Sequence, residues 1–277
     1  MTVVAIVAQG AMGAGMARRL TDGGARVLTS LAGRSPASRR RAAAAGMEDA
    51  GPEALAAADI FLSVLPPAEA LATAQWLAPA LRAAGRPAAY ADCNAISPET
   101  ARQVAGCIEA AGAAFVDGGI IGGPPRPDGY TPVLYVSGPE AARALVLRDH
   151  GLEVQVTPGP VGAASALKMS YAGITKGLVA LGAAMMLAAG RGGAAEGLRA
   201  ELARSQPQLL AWFQRMVPPM PDKAYRWVGE MEEIAGFTGP EAAGIYQAIG
   251  QFYAGVAADQ AGPGEAAASL AAFLKGG

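Results

Sequence analysis

The sequence predicts an α/β chain in two parts: an N-terminal doubly wound sheet, then a long helix and an all-α C-terminal half. Short apolar runs alternate with helical stretches over the first 157 residues, the pattern of βαβ units. One stretch rich in Ala, Leu and Met, residues 159–190, holds no proline after Pro160 and reads as a single helix. Beyond it no strand pattern appears. The expected boundary lies between a first domain, 1–158, and a second, 159–277.

A chain of 277 residues can bury two cores, and its formal net charge of −1 indicates no attraction to nucleic acid or to a membrane surface. Charged residues are only 16% and hydrophobic ones 52%, which points to a subunit interface and so to a homodimer. Cys93 and Cys107 form no CxxC, and with a single histidine they argue against a disulfide framework and against a Cys/His metal site. The expected compartment is the cytoplasm. The apolar run 3–8 lacks the basic flank of a signal peptide, and the most apolar segment, 178–189, is shorter than a bilayer requires.

Residues 2–8 (TVVAIVA) have the continuous apolar character of a buried parallel strand. Gln9-Gly10-Ala11-Met12-Gly13 and a helix ending near Asp22 follow directly. Strand, glycine turn and helix in that order cradle a pyrophosphate on backbone N–H groups, so Gly10, Ala11, Met12 and Gly13 are expected to hold a dinucleotide in a Rossmann domain. Ala8 stands where the first glycine of the full fingerprint is usual. The next strand, 26–31, leads into Arg34-Ser35-Pro36 and Arg39, with no Asp or Glu between Val27 and Arg41 to bind a ribose diol. Arg34, Ser35 and Arg39 suit a 2′-phosphate, making NADP(H) the expected cofactor; the plainer alternative is a basic, solvated helix start.

A third strand, 58–64, is closed by Leu65-Pro66-Pro67, and Leu65 and Pro66 at its carboxyl end are expected beside the cofactor. A helix over 68–84 and a strand over 88–92 come next. Asn94, at the same edge, can bond the nicotinamide ribose or cap the following helix, although Ser97 before Pro98 is the better cap. Residues 115–129 read as a shaped loop rich in glycine and proline, in which Gly122 and Gly123 can offer an anion nest. Arg126 there can meet an anion or sit on the surface. Strands over 133–137 and 153–157, with a helix between, complete the sheet, and His150 reads as a surface residue.

On the long helix Ser165, Lys168, Tyr171, Ala172, Thr175 and Lys176 share an arc of roughly 140° at about 100° per residue. Two lysines on an otherwise apolar helix are costly unless they line a cavity, so this face is expected to look into an interdomain cleft. Helical periodicity continues over 193–204, 206–216, 222–235, 241–260 and 265–274. In this half 225–233 is densest in aromatic and charged residues, and Arg226, Trp227 and Glu230 stand out as site candidates or as plain packing.

Taken in order, Gly10–Gly13, Leu65-Pro66-Pro67, 92–98, 117–123 and 162–168 carry a likeness over essentially the whole chain. The chain resembles the β-hydroxyacid dehydrogenase family, which includes 3-hydroxyisobutyrate and 6-phosphogluconate dehydrogenases; its helical half resembles the branch labelled 6-phosphogluconate-dehydrogenase-like. The resemblance implies a homodimer with interlocking helical domains; in relatives the partner subunit often completes the site from the region that corresponds to 225–233. It also implies hydride transfer between NADP(H) and a small hydroxy or oxo acid, with Lys168, six residues after Gly162, as general acid/base. The residues agree, since desolvation lowers a lysine's pKa toward the range useful for proton transfer. The alternative is a lysine snorkelling to solvent.

Three departures separate this chain from its relatives. The family's asparagine one turn after the lysine is Ala172, the serine before Gly122-Gly123 is Ile121, and the histidine of 6-phosphogluconate dehydrogenase is Tyr171. They argue against 6-phosphogluconate as substrate and leave Ser165, Tyr171, Thr175, Lys176 and Trp227, with Gly122 and Gly123, as the substrate-binding candidates. An imine reductase on the same scaffold is the nearest rival, although such enzymes usually replace the lysine. A catalytically silent NADP(H)-binding sensor or scaffold is the rival of another class.

Overall fold

The computed structural model describes residues 1–85 and 88–276. Its two compact units are residues 1–169 and 170 onward. The start of the long helix lies in the first of these units, where its first turn is bonded to the sheet.

In the first unit, eight strands form one sheet. They are β1 (Val3–Val7), β2 (Arg26–Thr29), β3 (Met47–Asp49), β4 (Ile60–Ser63), β5 (Ala89–Asp92), β6 (Ala114–Ile121), β7 (Val133–Ser137) and β8 (Glu153–Val156). Their order is β3-β2-β1-β4-β5-β6-β7-β8. All neighbours are parallel except β6 and β7. The chain order reverses next to β1, and the β1 and β4 ends open the crevice where such sheets bind ligands. Helices α1 (Ala11–Asp22), α2 (Pro36–Ala44), α3 (Pro52–Ala56), α4 (Ala70–Ala84) and α5 (Pro98–Glu109) make the crossovers. A 3-10 segment, Ala141–His150, takes the place of the α-helix expected between the last two strands.

Period-two alternation divides the core between the two faces of the sheet. Val4 and Ile6 of β1 pack with Met16 and Leu20 of α1, whereas Ala5 and Val7 face Leu77 of α4 and Val104 of α5. Phe61, Tyr90 and Phe115 sit opposite one another on β4, β5 and β6 and stack with centroids 4.9 and 6.3 Å apart.

Strand β6 corrects the loop expected over 115–129, whose first half is a buried central strand. Glycine is a poor strand former, which favours the loop reading. Here it is required by close approach: a Cβ at Gly118 would lie 2.7 Å from the Asp92 carbonyl oxygen, and one at Gly119 2.7 Å from that of Ala164.

The second unit is helical. Helix α6 (Ala163–Arg191) starts in the first unit and supplies its opening element; α7 (Ala195–Ser205), α8 (Pro207–Met216), α9 (Ala224–Thr238), α10 (Pro240–Ala261) and α11 (Glu265–Lys275) follow. Glycines 173, 177 and 182 on α6 admit Tyr246, Ile249 and Phe213. By length and composition α6 is apolar enough to cross a membrane, so the shortness argued for 178–189 does not extend to the whole helix. Its glycines instead take neighbouring side chains, and Lys176 pairs with Glu230 of α9, as expected of a helix within a bundle.

Candidate active site

Gly10 caps α1 in extended backbone, no side chain caps the helix, and its first turn holds no acidic residue. The N–H groups at this end are unopposed by local charge, as an anion site requires. A Cβ at Gly10 would meet open space, whereas one at Gly13 would overlap the Ala8 carbonyl oxygen. The two glycines thus serve different ends: Gly10 keeps the approach clear, and Gly13 lets helix and strand close. The turn is braced from β2 and α2. The buried Gln9 amide donates to Thr29 Oγ1 at 2.5 Å and to the Ser30 carbonyl at 2.8 Å, and Arg41 Nε donates to the Gln9 carbonyl at 2.8 Å.

After β2, the three residues expected to read a 2′-phosphate have different placements. Ser35 caps α2, its hydroxyl accepting the Ser38 N–H at 3.3 Å. Arg39 spends its guanidinium on the Leu31 and Arg34 carbonyls, at 2.6 and 3.3 Å. Arg34 lines a cavity of about 240 Å³, with Ser30 and Ala32 on its side and Glu69, Thr73 and Trp76 from the start of α4. Arg34 is therefore the cation of the three that faces this space, and Arg39 shapes the turn that presents it. Glu69, Thr73 and Trp76 carry no local signal in sequence. They join the site only because α4 crosses the β1 end.

At the ends of β4 and β5, Asn94 is buried and fully engaged. Its Oδ1 accepts the Leu65 N–H at 2.5 Å, and its Nδ2 donates to Ser63 Oγ at 2.9 Å and to Asp92 Oδ2 at 3.0 Å. Asn94 thereby fastens the half-buried Leu65 and exposed Pro66 turn to β5. Ser97 is the helix cap, accepting the Thr100 N–H at 3.2 Å. Burial raises the Asp92 pKa to about 7, against the pull of two Asn94 hydrogen bonds and the Lys168 charge, with the Asp117 charge adding to the rise. Burial likewise pushes the Cys93 thiol up, out of the range of a reactive thiolate.

Lys168 reaches this edge from α6, donating from Nζ to the Cys93 carbonyl at 3.4 Å. The serine one turn earlier does something else. Ser165 is buried, and its Oγ donates to Asp117 Oδ1 at 2.5 Å. The loop after β6 folds on itself: the Gly123 N–H donates to the Tyr130 hydroxyl at 3.2 Å, so the expected Gly122–Gly123 nest is already half used. Arg126 pairs with Asp128 at 3.3 Å and lies over the Tyr130 ring. Pro125 of this loop packs where a Cβ on Gly15 of α1 would stand. His150 bonds the Gly23 carbonyl at 2.8 Å, tying two turns together.

Within the second unit, Lys176 forms a half-buried ion pair with Glu230 and lies over the Trp227 ring. Tyr253 packs edge-on against Trp227 and donates to the Lys176 carbonyl at 2.6 Å. Thr175 turns its hydroxyl back to the Tyr171 carbonyl at 2.8 Å. Tyr171 is exposed. Lys176, Glu230 and Trp227 thus form one cluster, whereas Tyr171 and Thr175 stand outside it.

Two family models match the chain: the NAD binding domain of 6-phosphogluconate dehydrogenase over residues 3–155, and a domain of unknown function (DUF1932) over 189–256. No curated protein matches it. Among solved structures it is similar to the conserved protein MTH1747 of unknown function, itself reported as similar to 3-hydroxyacid dehydrogenases, at 27% identity over 92% of this chain and 96% of that one, TM-score 0.72. It is similar to the 3-hydroxyisobutyrate dehydrogenase of Mycobacterium tuberculosis at 23% identity, over 94% and 95% of the two chains, TM-score 0.71. An imine reductase from Myxococcus stipitatus, in complex with NADP+, shares the fold at 19% identity over 99% and 100%, TM-score 0.56.

Proposed function

The chain belongs to the family defined by the NAD binding domain of 6-phosphogluconate dehydrogenase, and on that premise we propose that it is an NADP(H)-dependent oxidoreductase acting on a small hydroxy or oxo acid. The observation that carries this reading is the Lys168 ammonium at the Cys93 carbonyl, on the edge of the sheet where ligands of this fold bind. The open, uncapped α1 terminus at Gly10 fits a pyrophosphate, and the cavity beside Arg34 and Trp76 fits the adenosine half. When bound, the nicotinamide supplies or accepts the hydride. Lys168 gives a proton to the oxygen of an oxo substrate or takes one from a hydroxyl, while the Cys93 carbonyl orients its amine. Arg34 supports preference for the 2′-phosphate; Glu69, lining the same cavity, is the carboxylate that would oppose it. A cytoplasmic homodimer accords with the low charge and with Ile174, Leu178, Leu181 and Met185 exposed at 63, 40, 58 and 60% along α6.

The test is NADPH oxidation against keto acids, aldehydes, semialdehydes and imines, with Lys168→Ala beside the native chain. The expected variant binds NADPH unchanged and loses at least about 10²-fold in kcat. Native turnover in the variant would remove Lys168 from the chemistry.

A further inference from the structure

Asp117 is fully buried, and its carboxylate collects five donors. Oδ2 accepts the N–H groups of Gly162, Ala164 and Ser165 at 3.0, 2.9 and 3.2 Å and the Ser137 hydroxyl at 2.7 Å; Oδ1 accepts the Ser165 hydroxyl at 2.5 Å. An ordinary N-cap would begin α6 with a side chain of its own segment. This cap comes instead from the middle of β6, so it fastens the helix to the sheet as well as starting it. Two residues along the same strand face stands Gly119. A Cβ there would lie 2.7 Å from the Ala164 carbonyl oxygen and 3.1 Å from Lys168 Cβ. Ala164 is thus gripped twice, its N–H by Asp117 and its carbonyl against Gly119, and Lys168 follows it by about one helical turn. The Cys93 carbonyl that receives the lysine belongs to the chain leaving β5, and β5 pairs with β6 at Asp92 and Asp117.

We propose that Asp117 and Gly119, neighbours on one face of β6, locate the Lys168 amine, with Asp117 acting as a positioning residue for the reaction. The strand holds the helix in axial and rotational register through the carboxylate, and the bare Gly119 backbone leaves room for the lysine stem. This rests on the assignment of Lys168 as the proton carrier. A displacement of about 1 Å at such a group is enough to cost about 10²-fold in rate.

The test uses the full chain as Gly119→Ala and as Asp117→Asn, with Lys168→Ala alongside. Lys168 is the first of only four lysines, so its rate of labelling by acetic anhydride can be read by mass spectrometry across pH, with Lys223 and Lys275 as internal standards. This readout needs no substrate. In Gly119→Ala, which deletes no hydrogen bond, the expected result is NADPH affinity within about twofold of native, kcat lowered at least about tenfold, and Lys168 labelling changed at least about threefold while the standards hold. Asp117→Asn, which weakens the acceptor that holds the start of α6, should likewise lower kcat and change Lys168 labelling while the standards hold. Should Lys168→Ala keep full turnover, the functional reading fails, and the labelling alone judges the positioning. Should Lys168→Ala be inactive while both β6 variants keep native kcat and native labelling, the functional reading stands and the positioning is overturned. Variants that both lose NADPH binding would mean that the two residues serve folding alone, which also overturns it.

Discussion

Replacing Asp92 by asparagine should change how stability depends on pH, and the sign follows from burial. The carboxyl group is 1% exposed at the end of β5, and desolvation raises its pKa from 3.8 to about 7. In the unfolded chain it returns to about 3.9. The fold therefore prefers the protonated acid. Its contribution is complete below the unfolded pKa and is lost as pH rises through about 7. A rise of about three units at about 1.4 kcal/mol each amounts to about 4 kcal/mol across this window. Asparagine is uncharged at every pH, so whatever it costs in hydrogen bonds to Asn94 does not vary over this range. Relative to Asp92→Asn, the native chain should lose about 1.4 kcal/mol per pH unit between about pH 5 and about pH 7 and level off above that. Urea unfolding followed by tryptophan fluorescence measures it, in a background of Trp212→Phe and Trp227→Phe. That leaves Trp76 as the reporter within residues 1–169. A difference between the two chains that stays flat over this range, or that grows in favour of the native chain as pH rises, would refute the argument.

Three further outcomes are expected. Arg34→Ala should weaken NADPH binding at least about tenfold and NADH binding about twofold or less, as titrated by nucleotide fluorescence; equal losses would mean that another residue reads the 2′-phosphate. Gly10→Ala should unfold in urea within about 1 kcal/mol of the native chain, whereas Gly13→Ala, whose methyl group meets the Ala8 carbonyl, should lose about 2 kcal/mol or more; similar midpoints would contradict the close packing of α1 on β1. A double-mutant cycle on Lys176→Met and Glu230→Leu should give a coupling of about 1–3 kcal/mol, because each side chain is less than one-fifth exposed and either one alone leaves a half-buried charge; additive effects would make the pair incidental.

What the sequence reveals of this fold follows the range of the interactions concerned. The Gly10–Gly13 turn is legible because strand, turn and helix are consecutive and the constraint on Gly13 arises five residues away at Ala8. Helix α6 is legible because a run of small and straight-chain residues without an internal proline declares itself. Gly118 and Gly119 mislead for the opposite reason. They resemble a loop in sequence, yet each is required by a carbonyl that only the folded sheet brings near, Asp92 in one case and Ala164 in the other. The compact-unit boundary inside α6 has the same origin, since the Asp117 carboxylate bonds the start of the helix to the sheet across more than forty residues of sequence.

The site divides along the same line. Lys168 stands out in sequence because an ammonium on an apolar helix is expensive wherever it lies, and that cost can be read without knowing its neighbours. Ser165, on the same helical arc, looks equally suited to a ligand in sequence, and only the fold shows that its hydroxyl bonds Asp117. The partners of the Asn94 amide, Ser63, Leu65 and Asp92, are likewise visible only in the fold. Conversely, Asp92 and Asp117 carry a sequence signal that is easily passed over: each is an acid inside an otherwise apolar strand, where an unpaired carboxylate is not tolerated. Asp92 has a raised pKa beside two Asn94 donors, Asp117 collects five donors, and the two are paired across β5 and β6. The lysine that the sequence makes visible thus stands near two buried acids that it makes easy to overlook, Asp92 bonded by Asn94 and Asp117 by the start of α6.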